Sequence, residues 1–361
     1  MVPRHNTAII CFSPYFGGME MDAFRIAKLL SNSIDITLIV KHNSLMSSRY
    51  RDEAEKYNIR VETIKFSFNL SPSIILKTRK LIKTNNIKNI IFFGASEMLS
   101  LYFAFIGLNI NLIIRHGTTK SSSKKDILHR LLYSNVNYHI AICKHIAKNV
   151  EQIIPLGKNS KIKVIYSSLR HAPDNLPAPK YHSQPLVTLL HVARITDGKG
   201  QIDTIKACET LFNNHIPFKL IFLGEVDPNF KDEFYNSFST LSYSSSIIVP
   251  GYTTNVSAYY KSANIFIFPS KGEGLSNSFI EALSYGLVCI SYNNTSFPEL
   301  AQAGFDFFMA ENGNIDDLKS CLLKAIDYIN INKIPILHNI KLAQRLFSDK
   351  KEMNELLTIL D

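Results

Sequence analysis

The 361 residues contain no tryptophan, and the five cysteines, Cys11, Cys143, Cys208, Cys289 and Cys321, never form a Cys-x-x-Cys pair. That spacing argues against a zinc ribbon or a dithiol redox motif, and we read the cysteines as reduced core thiols of a cytoplasmic protein. A G-x-G-x-x-G dinucleotide fingerprint is missing, which counts against an NAD-dependent oxidoreductase. So is any Asp-x-Asp pair that could hold a phosphate-bridging metal. Long apolar runs are lacking too. The stretch at 98–108 is too short to span a bilayer, and the run at 7–12 is a strand's length rather than the core of a signal peptide. We therefore expect a soluble protein, attached at most to a membrane surface. Acidic residues are scarce in the first half: residues 1–170 hold 25 Lys+Arg against 10 Asp+Glu, and residues 171–361 hold 15 against 20. A basic half invites nucleic acid, anionic lipid or plain water. No zinc-finger spacing, helix-turn-helix signature or RNA-binding aromatic motif accompanies the charge, so nucleic acid is not expected as a partner.

What is present is alternation. Short runs rich in Ile, Val and Phe lie at 7–12, 34–41, 59–66, 87–94, 111–115, 138–143 and 162–166, with helix-length segments such as 21–30, 71–83, 97–107 and 125–132 between them. Strands alternating with helices imply a parallel sheet with right-handed crossovers. Residues 171–185 carry four prolines and no periodicity, and read as an extended connector. The alternation then restarts, with strands near 187–193, 219–224, 247–249, 264–268, 287–292 and 305–309 and helices near 199–213, 255–262, 276–285 and 315–328. We expect an α/β protein of two halves: one domain at 1–170, the connector, a second domain at 186–338, and a helix at 339–361 that packs outside the second sheet or reaches back to the first.

The chain is organised around 269–286. The apolar run Ile265-Phe266-Ile267-Phe268 ends in Pro269-Ser270-Lys271-Gly272-Glu273-Gly274-Leu275-Ser276, and a helix follows with Glu281 in its first turns. A strand, a turn and a helix start form the geometry that α/β proteins use for phosphate-bearing ligands. A helix carboxylate such as Glu281 can accept two hydrogen bonds from a ribose diol, and the exposed N–H groups of residues 274–277 favour a pyrophosphate. The plain reading of two such glutamates is a loop residue and a solvated helix residue. Arg194 and Lys199, in Val192-Ala193-Arg194-Ile195-Thr196-Asp197-Gly198-Lys199-Gly200, also follow a strand at a helix start. Two fixed cations there would neutralise a leaving diphosphate without a metal. A third turn, Pro14-Tyr15-Phe16-Gly17-Gly18-Met19-Glu20, follows the first strand; by itself it says little.

Taken in order, the segments at 16–20, 192–200, Phe222-Leu223-Gly224-Glu225, 269–282 and 286–299 resemble the motifs of retaining glycosyltransferase family 4, the glycosyl transferases group 1 of the GT-B fold. The match is specific mainly from 187 to 300. The resemblance implies two Rossmann-like domains whose parallel sheets face an interdomain cleft, and transfer of a sugar from a nucleotide-sugar donor, with UDP-sugars favoured and neither metal nor cofactor. It implies that Arg194 and Lys199 bind the donor diphosphate, that Glu281 holds the ribose and that Glu273 meets the sugar near the reacting centre. It further places Gly17, Gly18, Gly224 and the backbone of Gly274, Leu275 and Ser276 around the donor. His116, in Ile114-Arg115-His116-Gly117, stands where the family keeps a histidine close to the transferred sugar; a satisfied structural histidine would look the same in sequence. Two segments depart from the pattern. Val164-Ile165-Tyr166-Ser167-Ser168 replaces the usual Asn-Gly turn, and Gly224-Glu225-Val226-Asp227 follows the usual glycine turn only in part.

The basic first half should then hold the acceptor. At 74–88, apolar residues interleave with five cations, as in a helix lying on a membrane; an amphipathic helix with its basic face in water has the same pattern. We expect a glycan or lipid-linked glycan acceptor from lipopolysaccharide, O-antigen or capsule synthesis, met at the cytoplasmic membrane face. The rival readings are a sugar-nucleotide epimerase or hydrolase of the same fold, and a non-catalytic sugar-nucleotide-binding protein.

Overall fold

Continuous apolar runs become strands buried on both faces. Ile9, Ile10 and Cys11 have no exposed surface at all, nor do Ile265, Phe266 and Ile267, as expected when helices cover both sides of a parallel sheet. The computed structural model describes residues 6–15, 17–173, 186–332 and 336–361. Of the connector expected at 171–185, residues 174–185 lie outside these, as does Phe16 of the first glycine turn.

Two units divide the chain. The first comprises residues up to Ser167 together with Asp349–Asp361. Its strands are β1 (Asn6–Cys11), β2 (Ile36–Lys41), β3 (Arg60–Ile64), β4 (Ile87–Phe93), β5 (Asn111–His116), β6 (Tyr138–Ala141) and β7 (Lys161–Val164). They form one parallel sheet in the order β3-β2-β1-β4-β5-β6-β7. The second unit, Ser168–Ser348, holds β8 (Val187–Val192), β9 (Phe218–Leu223), β10 (Ile247–Gly251), β11 (Ile265–Phe268), β12 (Val288–Tyr292) and β13 (Phe308–Ala310). Their parallel order is β10-β9-β8-β11-β12-β13.

Both orders reverse direction once, at β1/β4 and at β8/β11. A doubly wound sheet opens a crevice at the carboxyl ends of the strands flanking such a reversal. In the second unit those ends carry Arg194–Lys199 and Pro269–Ser276; in the first, the loop after β1 carries Gly17 and Gly18.

The segment expected as one helix from 339 is two. Leu337–Leu346 packs in the second unit against the helix Asn277–Ser284, and Asp349–Leu360 joins the first. Between them Phe347 leaves helical geometry. Leu356, Ile359 and Leu360 enter the core formed by Phe24, Ala27 and Leu30, each such burial contributing about 1.5–3 kcal/mol. The last carbonyls of this helix also find donors: the Asn89 amide reaches Leu360 O at 2.8 Å, and the Asn111 amide reaches Ile359 O at 2.8 Å. Among the described residues no helix is long and apolar enough to cross a membrane.

Candidate active site

Three loops of the second unit are stitched together by their backbones. Ile195 N donates to Glu225 O at 2.8 Å and Asp227 N to Ile195 O at 2.8 Å, joining the loops after β8 and β9. Lys271 N donates to Gly198 O at 2.9 Å, joining the loops after β8 and β11. Two glycines permit this closeness. Gly200 (φ 81°) and Gly224 (φ 153°) adopt left-handed or mirror-extended backbone, and a Cβ at either would overlap the carbonyl oxygen of Pro269 or Ala193 respectively.

Stitching brings side chains together. Lys199 Nζ lies 2.6 Å from Glu273 Oε1, and the Ser270 hydroxyl donates to that same oxygen at 2.9 Å. Glu273 N in turn donates to Thr295 Oγ1 at 3.3 Å, and the Asn294 amide holds Ser270 O at 2.9 Å. The glutamate of the loop is therefore held by Lys199, Ser270 and Thr295, with Asn294 fixing Ser270 behind it. Arg194 pairs with Asp227 at 2.9 Å, but its side chain is 62% exposed, so the pair adds little to stability and the guanidinium can turn to a ligand.

Glu281 is not the solvated helix residue that its sequence context allows. Only 4% exposed, it sits one turn into Asn277–Ser284 and accepts a hydrogen bond from the Tyr260 hydroxyl at 3.0 Å. Burial pushes its carboxyl up, opposed by the nearby charge of His171, the Tyr260 hydrogen bond and Arg170. Tyr260, Arg170 and His171 are the partners that sequence reasoning missed. Gly274 and Leu275 lead into the helix, and Ser276 caps it by accepting from Phe279 N at 3.4 Å, so the positive end of the helix dipole opens beside Glu273.

In the first unit, Gly17 precedes the helix Gly18–Ser31 and donates its N–H to Glu20 Oε2 at 2.8 Å. A Cβ on Gly17 would meet only that oxygen, at 3.4 Å, and one on Gly18 would meet nothing within 4 Å. Packing within the protein does not demand either glycine; open space borders them. His116 ends β5, and its Nε2 lies 3.0 Å from His139 Nδ1. Both rings are buried. Burial, then His139, Lys120 and Lys124, hold His116 well below the usual imidazole range, and burial brings His139 down to about 4. The pair is therefore neutral at pH 7, and Nδ1 is the nitrogen His116 has left for a ligand.

A buried neutral histidine predicts a pH effect with a definite sign. His139 titrates at about 4 folded, against roughly 6.5 unfolded. Its contribution is full above pH 6.5 and is lost as pH falls towards 4. Chemical denaturation between pH 7 and 4 is expected to show the first unit weakening across that window, with His139→Gln flattening the slope. An unchanged slope in the variant would exclude His139 as its source.

Residues 178–330 match the family described as glycosyl transferases group 1. The matched span lies within the second unit, which therefore resembles the group 1 glycosyltransferases. The capsular polysaccharide biosynthesis glycosyltransferase CapH of Staphylococcus aureus is similar to this chain, 24% identical over 306 residues, which span 79% of this chain and 81% of CapH. The crystal structure of a glycosyltransferase from Rickettsia africae superposes with a TM-score of 0.83 at 17% identity, covering 99% of this chain and 98% of that one. HepE from Anabaena, solved in complex with UDP-glucose, superposes with a TM-score of 0.76 at 14% identity over 98% and 99% of the two chains. The fold is accordingly GT-B, with two Rossmann-like α/β domains, and the stitched loops with Lys199, Glu273 and Glu281 all fall inside the matched region.

Proposed function

We propose that this protein is a retaining, metal-independent glycosyltransferase of family 4 that moves a hexose-like sugar from a UDP-sugar to a lipid-linked glycan, at the inner face of the cytoplasmic membrane, during surface polysaccharide synthesis. The observation that carries the reading is the Lys199–Glu273–Ser270 cluster, a fixed cation and a fixed anion side by side at the sheet's reversal point. Lys199 and Arg194 suit a departing diphosphate, Glu281 a ribose, and Glu273 the positive charge that develops on the sugar. The open space at Gly17 and Gly18 suits a diphosphate bordering the first unit, and His116 Nδ1 suits a sugar hydroxyl. HepE's UDP-glucose complex supports the donor class, and CapH supports polysaccharide assembly.

In the proposed reaction the bond from the anomeric carbon to the diphosphate oxygen breaks. The acceptor hydroxyl oxygen bonds to that carbon on the same face, and its proton passes to the leaving phosphate. Catalysis then rests on positioning and charge stabilisation rather than on a covalent enzyme intermediate. A thermal-shift panel of UDP, GDP, ADP and their sugars tests the donor. At about a hundredfold over Kd, a ligand adds roughly 2.7 kcal/mol, so UDP is expected to raise the melting temperature by about 5 °C or more. Turnover with the matching UDP-sugar should survive EDTA, and proton NMR of the product should show the donor's anomeric configuration. No shift with any nucleotide would remove the transferase reading; an inverted product would remove retention alone.

A further inference from the structure

We infer that His139 is a positioning residue: it holds His116 in the tautomer that carries its proton on Nδ1, so that His116 offers the ligand a hydrogen-bond donor and not a base. This deepens the transferase reading and rests on its placing of His116 beside the transferred sugar. No local motif marks His139 in the sequence. Strands β5 and β6 pair with Ile114 opposite His139 and His116 opposite Ala141. The two histidines therefore emerge on the same face of the sheet, one pleat period apart. His116 stands at the carboxyl end of its strand, the end at which ligands meet a doubly wound sheet. His139 lies beneath it, with no exposed surface.

The tautomer follows from the nitrogen that has no partner. His116 Nε2 and His139 Nδ1 are 3.0 Å apart. Both rings are neutral at pH 7, so each holds one proton and one lone pair, and either ring could be the donor of this bond. If His116 donated from Nε2, the His139 proton would sit on Nε2, which is buried and has no hydrogen-bond partner. The Tyr133 ring gives that proton no acceptor: it lies at 20° to the His139 ring with centroids 6.0 Å apart, and an N–H in the imidazole plane does not point into its face. A buried N–H without an acceptor is the rarer orphan, and a bare lone pair is better tolerated. His139 therefore keeps its proton on Nδ1 and donates to His116 Nε2. With Nε2 an acceptor, the single proton of His116 sits on Nδ1.

The consequence is chemical. His116 Nδ1–H can donate to an oxygen of the sugar, and its one lone pair is already taken by His139, so it has none with which to remove a proton from the acceptor. Adding a second proton to the ring is opposed by burial first, then by His139, Lys120 and Lys124. A donor at this point agrees with the proposed reaction, in which the acceptor proton leaves with the phosphate.

The test reads the tautomer directly. In protein with isotopically labelled histidines, two-bond proton–nitrogen correlation at neutral pH, assigned with His116→Asn and His139→Leu, should show both rings in the Nδ1–H form. A free neutral imidazole populates that form less. The kinetic arm compares two substitutions of similar shape. His139→Leu removes the donor, leaving neither tautomer nor ring angle fixed, and should lower kcat/KM by roughly five- to tenfold. UDP carries no sugar and should raise the melting temperature of this variant as it does the parent's. His139→Asn has an amide nitrogen where Nδ1 stood and should recover most of the loss, with His116 still protonated on Nδ1. A parent His116 protonated on Nε2 would overturn the assignment. So would a His139→Leu enzyme with the parent's kcat/KM, or an asparagine variant no better than the leucine one. Loss of the UDP shift together with turnover in His139→Leu would reduce His139 to holding the fold, and would overturn the positioning role too. Failure of the transferase reading looks different: the parent itself would show no nucleotide shift and no turnover, and the tautomer, read on the protein alone, would then decide the histidine pair.

Discussion

Lys199→Ala is expected to lower kcat by about 10²–10³-fold, the usual cost of removing one preorganised group that stabilises developing charge. Two effects combine. The variant loses the cation proposed to face the leaving diphosphate, and it leaves Glu273, which is only 13% exposed, with a hydroxyl partner but no countercharge. An uncompensated carboxylate beside the phosphates repels the donor as well. The pair can be separated by a double-mutant cycle. Glu273→Gln alone should keep or strengthen the UDP thermal shift, because Lys199 is no longer shared, while turnover falls. Lys199→Ala with Glu273→Gln should bind UDP better than Lys199→Ala does. Arg194→Ala should cost less, roughly tenfold, because an exposed guanidinium is replaced in part by water. If folded Lys199→Ala turned over within about twofold of the parent, the assigned role would be wrong.

Much of this site was legible because parallel α/β sheets write their architecture plainly. Strands buried on both faces leave continuous apolar runs, and ligand loops follow them, so Arg194, Lys199 and Glu273 could be picked out as residues just past strand ends. The partners could not be. Tyr260 lies 21 residues from Glu281 in the chain, and although a helix was expected at 255–262, nothing in the sequence joins that helix to Glu281. Nor does any local pattern distinguish a buried Glu281 from a solvated one, since its burial is decided by Tyr260 and the segment at 170–171. The six-residue helices Lys231–Asn236 and Phe297–Gln302 escaped because they are too short for a periodic signal. The first glycine turn illustrates the opposite limit: the family resemblance placed Gly17 and Gly18 around a donor, but the N–H of Gly17 is spent on Glu20. What remains for a ligand there is space.

Glu352→Ala is expected to destabilise the first unit by about 3–5 kcal/mol, the cost of leaving a buried charge unpaired. Glu352 holds Arg25 through two bonds, of 2.5 and 2.8 Å, and Arg115 through one of 3.0 Å. Asp22 completes a closed square, 2.6 Å from Arg25 and 2.7 Å from Arg115. Two guanidiniums and two carboxylates balance, with the Arg115 and Glu352 side chains 1% exposed. These residues are up to 327 apart in sequence, which is why the apolar periodicity of the last helix was visible while its charged clamp was not. Burial pushes the Asp22 carboxyl up, but Arg115 and Arg25 outweigh it and hold it at about 2. A depressed carboxylate stabilises fully above its unfolded pKa of roughly 3.9 and loses that contribution as pH falls towards 2, a change of about 2.5 kcal/mol. Acid weakening should therefore come in two windows, the histidine one from 6.5 to about 4 and the carboxylate one below it, with Asp22→Asn removing only the second. Hydrogen exchange localises the effect of Glu352→Ala: amides of Asp349–Leu360 should lose protection first, while the second unit's sheet stays protected. Glu352→Gln keeps the shape and some hydrogen bonds, so it should fall between the alanine variant and the parent. A loss below about 1 kcal/mol in the alanine variant would mean that the apolar contacts of Leu356, Ile359 and Leu360 hold this helix by themselves, and that the ion square adds nothing to its attachment.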